Sequence, residues 1–296
     1  MWQLYAFIVA ESTIGRLPRS IGYIIARIIA DWVYIFFPRT RDAVRDNMEH
    51  VLGPQTDTEK LTAAVRCVLR NAAKNYFDLI SMAHLELSEI ERRMNVVGLH
   101  NLKAAVERGK GVILVTAHLG SFDIALQLLA TYSIKTTVLV EALDPPALFK
   151  HVTGLRERNG LTCVPVQLGI LKSIMEALKR GEVVLLACDR DIGKEGPRTV
   201  LFNEETTLPS GAVRIAERTG AAIVPVFNLR RDDGRYDVYF EPELEIVQGG
   251  KSVIKENQAK ITQIMERFVS MCPEQWVVLD RVWHRENDVS SLAKII

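Results

Sequence analysis

From residue 95 onward, short apolar runs alternate with amphipathic stretches, and glycines punctuate the joins. Strands are predicted at 95–97, 111–117, 136–141, 162–166, 182–188 and 222–229, and the alternation over 236–246 suits an edge or antiparallel strand. Helices are predicted at 99–108, from Ser121 through Leu129, and at 145–158, 170–180, 211–218 and 251–271. Several of them stop at a glycine, as at Gly109, Gly181 and Gly220. The run at 112–115 is wholly apolar and rich in β-branched residues, as a strand buried on both faces should be. Strand and helix in alternation imply an α/β fold with a mostly parallel central sheet flanked by helices. Residues 41–52, 57–82 and 88–94 read as helices, with Ser88 an N-cap for the third; Asn71, Asn75, Tyr76, Phe77 and His84 read as packing.

The first 38 residues follow a different pattern. Residues 2–10 are nearly all apolar, and residues 21–37 are broken only by Arg27 and Asp31. Those two charges lie four apart on one helical face and are expected to pair. The second run falls short of the ~20 apolar residues that a spanning helix needs. A helix lying in the bilayer interface is therefore expected. Trp2, Tyr5, Tyr23, Trp32 and Tyr34 suit the headgroup level, and Arg16, Arg19, Arg39, Arg41 and Arg45 suit anionic lipid. A hydrophobic hairpin packed on the protein's own core is the alternative. The chain thus divides into a helical region at 1–94, membrane-associating at 1–38, and an α/β catalytic domain at 95–296.

Composition narrows the picture. A net charge of +1 over 296 residues gives no global pull toward nucleic acid. Four widely spaced cysteines form no C-x2-C pair, so buried, reduced thiols are expected rather than a disulfide or zinc framework. No signal-peptide cleavage pattern is read, and the cytoplasmic face of a membrane fits best.

Candidate chemistry gathers where strand 111–117 ends. His118 stands at the carboxyl end of that strand, and Asp123 stands in the first turn of the helix capped by Ser121. In open α/β sheets this crevice is where ligands bind. An aspartate five residues past a histidine could bond one ring nitrogen and leave the other free to accept a proton. The plainer alternative is a histidine at a helix start and an aspartate favoured there by the helix dipole. A second charged set, Asp189-Arg190-Asp191, follows strand 182–188 and leads to a loop with Glu204. Arg190 suits a phosphate or carboxylate, and Glu204 a hydroxylated headgroup or His118 itself. Arg156 and Arg158 are either anion ligands or complements to a helix C-terminus.

These blocks together resemble a known family. Val97-Gly98, the stretch from Gly109 to Asp123, Asp189-Arg190-Asp191, Pro209-Ser210-Gly211-Ala212, Thr219-Gly220-Ala221, Val224-Pro225-Val226 and Pro273-Glu274-Gln275-Trp276 are similar to the bacterial lipid A (lauroyl/myristoyl) acyltransferases. That family includes the phosphatidylinositol mannoside acyltransferases. The family usually reads H-x-G-N-W-E where this chain reads HLGSFD, so Asp123, Ser121 and Phe122 depart from it and the acceptor is left open. The resemblance implies a glycerolipid-acyltransferase-like fold at the inner membrane. It also implies transfer of a fatty acyl group from acyl carrier protein or coenzyme A to a glycolipid hydroxyl, with no metal or other cofactor.

On this reading His118 is the general base, Asp123 orients it, and Glu204 matches a glutamate that mannoside acyltransferases use beside their histidine. Backbone N–H groups near Gly120 and Ser121, with Arg190 and Arg158, are candidate oxyanion donors, and Asp189 completes the substrate-binding set. Two rivals remain. One is a metal-dependent glycosyltransferase using Asp189 and Asp191; the other is a non-catalytic lipid-binding protein. No G-x-S-x-G occurs, which disfavours a serine hydrolase.

Overall fold

The computed structural model describes residues 2–167, 169–193, 196–247, 249 and 251–283. Residues 284–296 of the expected α/β domain lie outside the described residues. Five helices come first: α1 (Trp2–Thr13), α2 (Arg19–Phe36), α3 (Pro38–Leu52), α4 (Thr58–Ser81) and α5 (Leu87–Arg92). The alternating part runs β1 (Met94–Val97), α6 (Leu99–Glu107), β2 (Val112–Thr116), α7 (Phe122–Thr131), β3 (Thr136–Val140), α8 (Pro146–Glu157), β4 (Thr162–Pro165), α9 (Ile170–Lys179) and β5 (Val183–Ala187). It continues with β6 (Arg198–Leu201), β7 (Glu204–Thr207), α10 (Gly211–Thr219), β8 (Ala222–Arg230), β9 (Tyr236–Phe240) and α11 (Lys251–Met271).

Seven strands form one sheet in the order β1-β9-β8-β2-β5-β3-β4, and only the β8–β9 pair is antiparallel. The expected mostly parallel sheet flanked by helices is therefore present. Every residue of β2 before Thr116 is buried, as its unbroken apolar run requires. The chain leaves β2 for β3, beyond β5, and leaves β5 for β8, beyond β2. Connections departing in opposite directions open a crevice at the carboxyl ends of these two strands.

Four local expectations are corrected. The strand expected at 236–246 ends at Phe240, and a hairpin, β6–β7, forms where the sequence suggested only a loop. Helix α5 starts at Leu87 after Glu86, so Ser88 lies inside it and does not cap it. The four cysteines are free, but only Cys188 is buried; the others are half-buried.

The N-terminal helices pack against α4 with an unusual division of faces. Helix α2 turns its small residues Gly22, Ala26 and Ala30 inward. A Cβ on Gly22 would lie 2.0 Å from the Phe77 ring, so only glycine permits this approach. The large apolar residues of α2 point outward: Ile24, Ile28, Trp32 and Phe36 are each more than half exposed. Asp31 does not pair with Arg27; it takes a two-nitrogen contact from Arg70 of α4, at 2.8 Å. Arg19 and Tyr23 turn into the protein, and Tyr34 lies beneath Arg41 and Arg66. Of the aromatic residues expected at headgroup level, Trp2, Tyr5 and Trp32 are the outward-facing ones. No single described helix is long and apolar enough to cross a membrane; α2 and α3 pass that test only as a pair bent by 97°.

The turn from β2 to α7 depends on Gly120, whose φ of +64° is left-handed. A Cβ there would stand 2.4 Å from the Asn228 carbonyl oxygen. Replacing Gly120 with alanine should therefore cost about 2 kcal/mol or more of stability, read as a lower urea midpoint at unchanged slope.

Candidate active site

The sheet register brings the key residues together. Thr116 of β2 pairs with Ala187 of β5, so the residues two positions beyond each, His118 and Asp189, emerge side by side. His118 Nδ1 lies 2.8 Å from Asp189 Oδ1, and the His118 backbone N–H donates to Asp189 Oδ2 at 2.8 Å. Trp276 Nε1 donates to the same Oδ2 at 2.9 Å. Asp189 is fully buried, whereas the His118 side chain keeps 29 % exposure. A carboxylate in that position fixes the ring tautomer with the proton on Nδ1 and leaves Nε2 as the acceptor nitrogen. Nε2 has no hydrogen-bond partner among the described residues, and Phe122 meets the ring edge-on at 5.4 Å.

The electrostatics follow from this geometry. Burial opposes the charged form of His118, but the charge and hydrogen bond of Asp189 outweigh it, so the imidazole sits above its ordinary value. Arg190 works against that shift and Asp123 adds a little to it. Burial alone would raise Asp189; His118, its backbone N–H and Trp276 instead hold the carboxyl below the usual aspartate range. Both partners shift in the direction of an ion pair.

The C-terminal segment builds the back of the site. Leu119 and Trp276 form an isolated antiparallel bridge, Gly120 N–H donates to Gln275 O at 3.0 Å, and Val277 N–H donates to His118 O at 2.8 Å. The Pro-Glu-Gln-Trp stretch is thus a strap along the His118 turn, with its indole on the carboxylate.

His118 opens onto a cavity of about 940 Å³, lined mainly by apolar side chains such as Leu126, Leu129, Val138, Ile174, Leu185 and Leu186. Asp123, Arg156, Glu141, Arg190, Asp191 and Asp280 supply its charged groups. Phe7 of α1 also reaches the lining.

Several expectations are corrected here. Asp123 does not bond His118: Arg156 of α8 donates to it through Nε at 2.6 Å and more weakly through Nη2 at 3.4 Å. His118 finds its acid on the neighbouring strand instead. Asp189 faces no open site, since its oxygens are occupied by His118 and Trp276. Ser121 is buried and gives its hydroxyl to Asp78 at 2.6 Å, so it neither caps α7 with its side chain nor lines the cavity. Gly120 spends its N–H on Gln275 and is no oxyanion donor. Arg158 donates to the Ala83 carbonyl, away from the cavity lining. Glu204 is exposed on the β6–β7 hairpin and is likewise absent from the lining. Arg190 does line the cavity and donates to Asp280 at 2.8 Å and, at 3.4 Å, to Glu141.

The proposed cation site at Asp189 and Asp191 does not assemble. Asp191 Oδ2 accepts from Gly196 N–H at 2.8 Å while Asp189 serves His118. Among the described residues no cluster of three or more His, Cys, Asp or Glu side chains is arranged to hold a metal ion.

The sequence comparisons give the family in which this histidine, its buried acid and the apolar cavity are set. The model of the bacterial lipid A biosynthesis acyltransferase family matches residues 1–285. The chain belongs to that family. A phosphatidylinositol mannoside acyltransferase of Mycolicibacterium smegmatis is 26 % identical over 82 % of this chain and 79 % of its own length. The Mycobacterium tuberculosis H37Rv protein of the same name is 28 % identical over 86 % and 80 %. The lipid A biosynthesis palmitoleoyltransferase of Escherichia coli K12 is 26 % identical over 83 % and 79 %. The protein is accordingly an acyltransferase, and the metal-dependent glycosyltransferase alternative is set aside.

In this acyltransferase the His118–Asp189 contact can be tested without a substrate. The ring should titrate above the ordinary histidine value of about 6.5. In Asp189→Asn the titration should move to lower pH, because the charge that favours imidazolium is gone. Proton or carbon NMR of labelled histidine reads the shift directly, and an unchanged titration in the variant would contradict the contact.

Proposed function

We propose that the acyltransferase moves a fatty acyl group from a coenzyme A or acyl-carrier-protein thioester to a hydroxyl of a membrane glycolipid, with His118 as general base. The observation that carries this reading is His118 lining an apolar cavity, its Nδ1 held by buried Asp189 and its Nε2 without a hydrogen-bond partner among the described residues. Nε2 removes the proton from the acceptor hydroxyl as that oxygen attacks the thioester carbonyl. The imidazolium is stabilised by Asp189, which stays ionised throughout. Arg156, held by Asp123, presents a guanidinium to the tetrahedral oxyanion, and Arg190 adds positive charge at the rim. Collapse breaks the C–S bond, and the departing thiolate takes the proton from His118. The products are the acyl ester and the free thiol. The apolar lining supplies the environment that an acyl chain requires.

Relatives named for phosphatidylinositol mannoside and for lipid A support a glycolipid acceptor. Incubating the purified protein with acceptor-bearing membranes and labelled acyl-CoA or acyl carrier protein, then identifying the labelled lipid by mass spectrometry, would settle both donor and acceptor. Wild-type protein should produce a labelled glycolipid; His118→Ala should lose ~10²–10⁴-fold in rate. Residual activity within a few-fold of wild type would remove His118 from the mechanism. Because a neutral Nε2 is required, kcat/KM should fall on the acid side with an apparent pKa above the ordinary histidine value. That limb should move to lower pH in Asp189→Asn.

The outward apolar face of α1 and α2 supports association with the lipid surface from which the acceptor comes. Such a contiguous apolar face marks an interaction surface. Exposed Arg16 and Arg39 flank it. The double variant Ile28→Asp/Trp32→Ala should co-sediment with anionic phospholipid vesicles at least ~10-fold more weakly than wild type, with its melting temperature maintained. Equal binding would exclude this face from the contact.

A further inference from the structure

Behind the His118 turn lies a buried polar cluster that the proposed chemistry does not use. Asp78 of α4 is its centre, and both of its oxygens are engaged. Oδ2 accepts from Ser121 Oγ at 2.6 Å, Arg230 Nη2 at 2.7 Å and Tyr236 OH at 3.2 Å. Oδ1 accepts from Tyr23 OH at 2.9 Å. The Tyr23 oxygen in turn accepts from Arg19 Nε at 2.8 Å and Nη2 at 2.6 Å. Arg19 also donates to the Tyr236 hydroxyl and the Gly234 carbonyl. One turn earlier on α4, Asn75 donates to the Gly120 carbonyl at 2.7 Å and accepts from Arg230 at 2.6 Å. Arg230 exchanges a pair of hydrogen bonds with Gln275, in the strap over the turn.

A buried ion pair of this kind is a costly way to gain stability, since desolvating both charges offsets most of their attraction. Its use is better sought in what it fixes. Here it fixes Gly120 and Ser121, the residues between His118 and the helix that carries Asp123. We propose that Asp78 is a positioning residue for the acyl-transfer step, holding the His118 turn through Ser121 and tied through Tyr23 to the outward-apolar helix α2. The proposal rests on the general-base reading of His118. Helix α2 is thereby linked to the reacting imidazole through three side chains: Tyr23, Asp78 and Ser121. Asp78, Tyr23 and Ser121 are absent from the cavity lining, so their effect is on the alignment of His118 against Asp189, with Arg190 and Asp123 the other charges acting on that ring.

Two mild variants isolate the relay while sparing the buried Asp78–Arg230 pair. Ser121→Ala removes one hydroxyl from Asp78, and Tyr23→Phe removes another while retaining the ring packed on Phe77. With palmitoyl-CoA and phosphatidylinositol mannoside vesicles, each should lower kcat roughly 10-fold, given that a 1 Å misalignment can cost ~10²-fold. KM for palmitoyl-CoA should stay within about two-fold of wild type, since no substrate contact is lost. The His118 NMR titration should move to lower pH in both, as its contact with Asp189 loosens. The double variant should lose less than the product of the single effects, because both act through one carboxylate. Wild-type kcat and an unmoved titration in both variants, with only the melting temperature altered, would overturn the proposal. The titration decides the relay even if these vesicles carry the wrong acceptor, and activity surviving in His118→Ala would defeat the general-base reading instead.

Discussion

A carboxylate enclosed by protein stays ionised only when its charge is answered at short range. Asp189 is answered by a ring nitrogen, a backbone N–H and an indole N–H, drawn from the end of β2 and from the C-terminal strap. Removing any one donor leaves a buried charge less well compensated, at a cost of a few kcal/mol. This single requirement therefore holds β2, β5 and the strap in one arrangement. It also holds His118 in place: its backbone N–H and Nδ1 are both bound to Asp189, while the residue lines the cavity. Packing of the sheet and orientation of the imidazole are consequences of the same contact.

How much of this could be read from residues alone depends on the range of each interaction. The strand leading to His118, the helix after Ser121 and the alternation that follows are set by local periodicity, and apart from the β6–β7 hairpin and the early end of β9 the structure keeps them within a residue or two. The partner of His118 is set by strand adjacency. Nothing between positions 118 and 189 announces that β5 lies beside β2, and only four intervening residues make Asp123 the obvious choice by proximity. Once the register Thr116↔Ala187 is known, Asp189 follows by counting two residues. Glu204 lies away from the site for a related reason: the segment after Asp191 folds into a hairpin of its own, with that side chain in solvent.

The cluster around Asp78 was harder still. Asn75 reads only as packing within an amphipathic helix, Asp78 beside it carries no signal of its own, and Arg230 ends a strand where a charge is unremarkable. Their burial depends on α2 lying against α4, which in turn depends on Gly22 meeting Phe77 without a Cβ. A usable signal was present in the apolar residues on both sides of Asp78, Tyr76-Phe77 and Leu79-Ile80, since a charge among large apolar side chains calls for a partner. The identity of that partner, 152 residues away, was beyond any local pattern.

Asp123 and Asp189 show why a fixed spacing between histidine and acid need not denote a bonded pair. Asp123 lies in the first turn of α7, on the side from which α8 approaches, and there it anchors Arg156 beside the cavity. A carboxylate spent on a guanidinium fixes where positive charge stands; a carboxylate spent on an imidazole fixes where a proton can go. Acyl transfer needs both, because the oxygen that attacks must lose a proton while the carbonyl it attacks gains negative charge. In the proposed mechanism strand β5 serves the first need and helix α7 the second. Their meeting point is the carboxyl end of β2, beside the crevice left where β2 and β5 send the chain toward opposite edges of the sheet.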